Sequence, residues 1–268
     1  MGNTGSMEGS PTISPTIASI EFAVKMSCKN CEAAVKKALG DVQGIDSVAV
    51  DLAKESVIVQ TSLTSSVVQN LIEKSGKKAV LRGVGAPGTQ LGAAVVEFYG
   101  MGGVKGVTRF VQLSENKCLI DGTIDGLSPG RHGFAVCESG DLSQGCESVG
   151  NHYNPTKADH SGPDSPTGHV GDLGNILADA TGRASFRFEN NKIKLLDLIG
   201  HAVAIHAGED DGGKGTGGSS KIDGNAGPKL ACGILARSAG IMENEKKICS
   251  CSGETLWDER DTAKSKFN

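Results

Sequence analysis

The chain has 268 residues, a formal net charge of −4 and a pI near 5.9, which leaves no basic footprint for a nucleic acid partner. No run of about 18 apolar residues occurs to span a membrane, and the first 17 residues, rich in Ser, Thr, Gly and Pro, lack the apolar stretch of a secretory signal. Glycine is abundant (38 residues) and aromatics are scarce (4%), which predicts a β-rich fold with many turns; the eight cysteines, with no export signal, point first to metal or redox chemistry.

Residues 1–17 read as a flexible tail. Gly2 and Ser6 fit the loose myristoylation pattern, but a chance match in a tail is the favoured reading, and membrane anchoring stays the weaker alternative. From Ala18 to Met26 apolar and polar residues alternate, as in a half-buried strand. Ala34, Val35, Ala38 and Leu39 then fall at helical spacing. Ser47–Asp51 and Ser56–Gln60 are short strands, Ser65 is the expected N-cap of a helix stopped by Gly76, and Lys78–Val84 is a last strand. The order β-α-β-β-α-β is the ferredoxin-like arrangement. Gly83–Gly88 reads as a linker. Evenly spaced short strands follow, at 93–99, 107–113, 118–124, 131–137, 183–188 and 202–206, which predicts a sandwich or barrel. Residues 138–182 read as one long functional loop, and the chain from Ala239 onward as an extended tail.

Cys28 and Cys31 stand two residues apart where a strand meets a helix. A helix N-terminus stabilises thiolate, and two soft thiolates with open coordination suit Cu(I) held for transfer. A thioredoxin-like redox pair and a structural pair are the alternatives. The run Met26-Ser27-Cys28-Lys29-Asn30-Cys31 resembles the Met-x-Cys-x-x-Cys loop of copper-chaperone and metal-ATPase domains, over about residues 18–86. That likeness implies Cu(I) on Cys28 and Cys31, with Met26 supporting the loop; Ser27 stands where many members have Thr or His.

His152, His160, His169 and Asp172 gather within the long loop, and three imidazoles with one carboxylate make a closed tetrahedral Zn(II) shell. The surrounding words, Gly150–Pro155, Gly168–Asn175, Gly224–Gly227 and Leu230–Gly233, resemble Cu/Zn superoxide dismutase over about residues 90–236. The resemblance implies a Greek-key β-sandwich. It assigns zinc to those four residues, makes His152 the bridge to copper, pairs Cys146 with Cys232 in a disulfide, and makes Asp210 the carboxylate linking the two metal sites. Of four copper imidazoles only His152 and His206 survive; Ala135 and Cys137 fill the other two places, and Lys229 replaces the anion-guiding Arg. Negligible dismutase activity is therefore expected, the alternative being a dismutase with an altered copper site. Cys118 and Cys137 are expected to be buried thiols rather than ligands.

Cys249-Ser250-Cys251 is too tight for a zinc finger and suits either one Cu(I) or a reactive disulfide; two incidental surface cysteines are the bland alternative. With Ala236–Gly240 and Ile248–Trp257, it is similar to the tail of the animal-type copper chaperones for superoxide dismutase, so the chain is identified as a member of that family. The resemblance implies four parts: a tail at 1–17, a heavy-metal-associated domain at 18–86, a dismutase-like domain at 87–236 and a Cys-x-Cys tail at 237–268. It implies a metallochaperone rather than an enzyme, carrying one Zn(II) and up to about two Cu(I). Its expected partners are Cu/Zn superoxide dismutase in a heterodimer, a second copy in a homodimer, and an upstream copper donor. Its expected place is the cytosol, with the mitochondrial intermembrane space as a second location.

Overall fold

The computed structural model describes residues 16–248 and 253–267. The first domain is built from β1 (Ala18–Val24), α1 (Lys29–Gly40), β2 (Ile45–Asp51), β3 (Ser56–Thr61), α2 (Ser65–Lys74) and β4 (Ala79–Gly85). Its strands form one antiparallel sheet in the order β2-β3-β1-β4. Apolar periodicity drives this: Val35 and Leu39 of α1, with Val68 and Ile72 of α2, are buried against Ile20, Phe22, Val24, Val57 and Val59.

Two local expectations are corrected. The N-cap of α2 is Thr64, whose Oγ1 accepts the Val67 N–H at 3.4 Å, and not Ser65. Ser65 instead opens the helix and gives its N–H and its hydroxyl to Asp121, at 2.9 and 2.7 Å, because that buried carboxylate from the second domain sits at the positive end of α2. Gly83-Val84-Gly85 is not linker but the end of β4. A Cβ on Gly83 would stand 2.2 Å from the Gly240 carbonyl oxygen, so glycine there permits a close approach between two backbones.

The second domain comprises β5 (Ala93–Gly100), β6 (Lys105–Ser114), β7 (Lys117–Asp125), β8 (Gly130–Val136), β9 (Ser143–Cys146), β10 (Asp172–Ala178), β11 (Ala184–Asn190), β12 (Ala202–His206), a one-turn α3 (Ser220–Asp223), β13 (Lys229–Ile234) and β14 (Ala236–Ser238). The order β13-β12-β8-β10-β11-β7-β6-β5 closes on itself where Ala231 and Cys232 pair with Gly100 and Tyr99, making an antiparallel barrel; β14 continues along the same edge of β5. Its interior holds Phe98, Phe110, Ile120, Ile124, Phe134 and Ile176. β9 and β10 lie inside the stretch expected to be loop. Asp172-Leu173-Gly174-Asn175 hides its strand character because one of its residues belongs to the polar cluster described below.

The two domains share a core, since Ala93, Val111 and Leu119 of the barrel pack into the apolar cluster of the first domain. After Ser238 the chain returns to the first domain and ends in α4 (Leu256–Phe267), a helix absent from the sequence reading. Among the described residues no helix is long and apolar enough to cross a membrane.

Candidate metal centres

β1 ends at Val24, and Met26 through Cys28 carry the chain to the N-terminus of α1, where Cys28 is the cap residue. Met26 is buried under this turn, Cys28 is exposed and Cys31 is 8% exposed. Their sulfurs stand 3.2 Å apart, with the Ser27 Oγ 3.8 Å from the Cys31 sulfur. Hydrogen bonds from the Ser27 backbone, then Cys28 and Lys77, outweigh burial and bring the Cys31 thiol down to about 6, so a thiolate is present at neutral pH. A pair of sulfurs with one exposed member offers an entering ion an open side, which fits cargo better than a resident metal. Lys77 was missed in the sequence. The signal was there, because in a β-α-β-β-α-β order the turn after α2 lies at the same end of the sheet as the turn after β1.

The second centre hangs from the barrel. His152, His160, His169 and Asp172 are all buried, and their ligand atoms lie within 4.8 Å of one another. Asp172 Oδ1 faces three imidazole nitrogens, the Nδ1 atoms of His152, His160 and His169, at 2.9, 2.8 and 3.2 Å. A single oxygen cannot satisfy three donors, and His169 Nδ1 is left buried without a hydrogen bond. Three nitrogens and an oxygen converging this way are the donor set of a tetrahedral Zn(II) shell, so the residues present fit that ion. Asp172 Oδ2 accepts the backbone N–H groups of Ser161 and His169, at 3.1 and 2.9 Å, which fixes the carboxylate. Burial would raise the Asp172 pKa, but hydrogen bonds from His152 and His160 hold it well below the usual carboxylate range. Burial likewise opposes charge on His160, yet Asp172 and Asp210 bring its imidazole up to about 9.

Beside this cluster the barrel lacks ligands. Ala135 is fully buried on β8, opposite Asp172 and Ala204. Cys137 is equally buried, packed with Val149, Ala202, Ala204 and the Cys146–Cys232 disulfide that the structure contains. Burial pushes its thiol up to about 12, and that of Cys118 likewise, so both are inert small hydrophobes at neutral pH. His152 Nε2 and His206 Nε2 are buried with no partner, and their rings stand 5.5 Å apart. Burial brings His206 down to about 4; its Nδ1 donates to the Gly227 carbonyl at 2.8 Å. Asp210 Oδ1 reaches His160 Nε2 at 2.7 Å, while Ala135 offers no second nitrogen for it to hold. Cys249 and Cys251 lie outside the described residues, as does Gly2.

A heavy-metal-associated domain model matches residues 21–78, and a copper/zinc superoxide dismutase model matches residues 104–235. The chain is 52% identical over 246 residues to a Mus musculus copper chaperone for superoxide dismutase, covering 91% of this chain and 90% of that one. It is 39% identical over 239 residues to a chloroplastic/cytosolic copper chaperone for superoxide dismutase from Arabidopsis thaliana, covering 89% and 69%. It is also 42% identical over 171 residues to an extracellular Cu-Zn superoxide dismutase of Onchocerca volvulus, covering 61% and 84%.

Proposed function

The chain belongs to the family of copper chaperones for superoxide dismutase, and from that premise we propose how its own residues receive copper and deliver it to a Cu/Zn superoxide dismutase. The observation that carries the reading is a contrast within one domain. The zinc quartet His152, His160, His169 and Asp172 is complete, while Ala135 and Cys137 stand where copper imidazoles are needed. The dismutase architecture is kept and its redox metal site is not, which supports a metallochaperone and not a dismutase.

In this reading Cys28 and Cys31 take Cu(I) from an upstream donor. The thiolate at Cys31 supplies a soft ligand at neutral pH, and exposed Cys28 is the sulfur an incoming or outgoing partner attacks first. One Zn(II), held by the quartet, ties the 152–172 segment to β10 and gives the domain its native surface. That surface docks an immature client dismutase by taking the place of its second subunit, and in the absence of a client it pairs with a second copy of this chain. Cys146 and Cys232 form the domain's structural disulfide.

Cys249 and Cys251 serve the client's sulfur chemistry, each able to hold Cu(I), for a total of about two Cu(I) per chain with the Cys28–Cys31 pair. As a disulfide they are attacked by a client thiolate, which forms a mixed disulfide and releases one tail thiolate. The second client thiolate then closes the client's own disulfide and leaves both tail cysteines reduced. Two electrons pass from client to tail, so a two-electron acceptor such as a small-molecule disulfide or dioxygen must reoxidise the tail. Cytosol, with a pool in the mitochondrial intermembrane space, is the proposed setting.

The test is transfer of copper itself. Chain charged with Cu(I), mixed with copper-free, zinc-loaded client in the presence of a strong Cu(I) chelator, should leave copper in the client fraction. A Cys28→Ser/Cys31→Ser variant should not. Transfer that the variant performs equally well would remove Cys28 and Cys31 from the route.

A further inference from the structure

β1 is buried along its whole length, on both faces of the sheet. Ile20, Phe22 and Val24 meet the helices, but the opposite face, where Glu21 stands, is covered by the chain's own C-terminal segment. Glu21 Oε2 accepts the Met242 N–H at 2.6 Å, and its Oε1 accepts the Ser56 hydroxyl at 2.9 Å. The Val84 N–H donates to the Ala239 carbonyl at 3.4 Å, and the Gln90 side-chain amide to the Ile241 carbonyl at 2.6 Å. Farther on, Lys54 pairs with Glu245 at 3.6 Å and Lys247 with Glu55 at 3.0 Å. On the other side α4 is held by Arg260, which pairs with Glu73 and donates to the Ala79 carbonyl at 3.3 Å, and by Asp261, which pairs with Lys78.

These two footholds flank one place. The Val24 N–H donates to the Glu55 carbonyl at 2.8 Å and the Lys25 N–H to the Lys78 carbonyl at 3.0 Å. The Lys247 and Asp261 footholds therefore straddle the point where β1 gives way to the Met26–Cys31 loop. Between them Ile248 forms a bridge with Thr255, and the Leu256 N–H donates to the Lys247 carbonyl at 2.9 Å. Cys249 and Cys251 are each within a few residues of this closure, so chain length alone limits their reach from it to about 10 Å.

We infer that Ala239–Thr262 is an autoinhibitory clasp, docked on the open sheet face of the first domain, that keeps the tail thiols away from a client until its footholds lift. The docking stands on the contacts above; the inhibitory role rests on the function proposed for the tail. The clasp is poised to open for two reasons. Its footholds are mostly exposed ion pairs, which salt screens. Beneath it the Arg82 side chain is only 5% exposed, its Nε has no hydrogen-bond partner, and its nearest carboxylate, Glu21, is 3.7 Å away, so closure buries a poorly compensated charge.

The experiment is hydrogen exchange on the full zinc-loaded chain, read on peptides covering the clasp, together with the rate at which each form activates copper-free, disulfide-reduced dismutase. In the wild type the α4 amides should be protected. Glu73→Arg and Arg260→Glu should each speed their exchange about tenfold and speed client activation, and the swap Glu73→Arg/Arg260→Glu should restore both. Wild-type α4 exchanging at the free-chain rate, or reversals that leave exchange unchanged, would overturn the clasp. Faster exchange with unchanged activation would overturn its inhibitory role. If no form activates the client, the delivery reading and the inhibitory role fall together, while exchange still decides the docking.

Discussion

His160 Nδ1 stands 2.8 Å from Asp172 Oδ1, while the other nitrogen of the same ring meets Asp210 at 2.7 Å. Without zinc this imidazole is clamped between two carboxylates and holds its proton up to about pH 9. Zinc needs its Nδ1 lone pair, so binding must expel that proton. At pH 7.5 zinc binding should release about one proton, measured by titration calorimetry in buffers of different ionisation enthalpy, and affinity should weaken about tenfold per pH unit below 9. The same shift fixes the sign for the zinc-free chain. His160 has a folded pKa raised above its ordinary 6.5, so its contribution to stability is complete below pH 6.5 and is lost as pH climbs through 9. The melting temperature of zinc-free chain should fall over that window, and that of zinc-loaded chain should not.

Cys31 should be alkylated far below the pH at which an ordinary thiol reacts. Iodoacetamide labelling should be half-maximal near pH 6, against about 8.5 for a free cysteine. Trypsin cleaves at Lys29, between the two cysteines, so mass spectrometry reads Cys31 by itself. Lys77→Met should move the midpoint upward, because it removes one of the hydrogen bonds that favour the thiolate. A midpoint near that of a free thiol would mean that the loop does not stabilise the anion.

Restoring the lost imidazoles tests whether dismutase chemistry is absent for want of ligands. The Ala135→His/Cys137→His variant would place two new rings beside the unpartnered Nε2 atoms of His152 and His206. It should bind Cu(II) with the spectrum of a nitrogen-ligated site and gain measurable superoxide turnover, less than a true dismutase because Lys229 lacks the planar fork of an arginine. Cu(II) bound without turnover would place the defect elsewhere in the domain.

Asp121 is the junction of the two domains. It accepts the Ser65 N–H and hydroxyl and pairs with Arg187 at 3.1 Å, and Arg187 also donates to the carbonyls of Thr61 and Leu63. Asp121→Ala leaves a buried guanidinium and an uncompensated helix N-terminus. It should lower stability by about 2–4 kcal/mol in denaturant titrations. A loss below about 0.5 kcal/mol would mean that the apolar contacts alone hold the domains together.

The ferredoxin-like order was legible because Ile20, Phe22 and Val24 alternate while Val35 and Leu39 recur at helical spacing, and those periods are set by burial on one face. The metal-ligand candidates were legible for a different reason: Cys, His and Asp have few bland reasons to cluster, and His152, His160, His169 and Asp172 meet in space as they do in the sequence. What stayed hidden depends on long-range partners. Ser65 looks like a cap until Asp121 takes its hydroxyl, and Gly83 looks like a linker until the Gly240 carbonyl is seen where its Cβ would be. α4 carries charges on most faces and so shows no apolar stripe; its footholds, Arg260 on Glu73 and Asp261 on Lys78, lie more than 180 residues away in sequence.

The most direct measurement is activation of copper-free, disulfide-reduced, zinc-loaded dismutase by this chain charged with Cu(I), in strong chelator, beside a Cys249→Ser/Cys251→Ser variant. The account predicts that the intact chain restores client activity and forms the client disulfide, and that the variant does neither. If both forms hold copper tightly and neither activates the client, delivery to this client is contradicted, and the chain acts as a copper buffer.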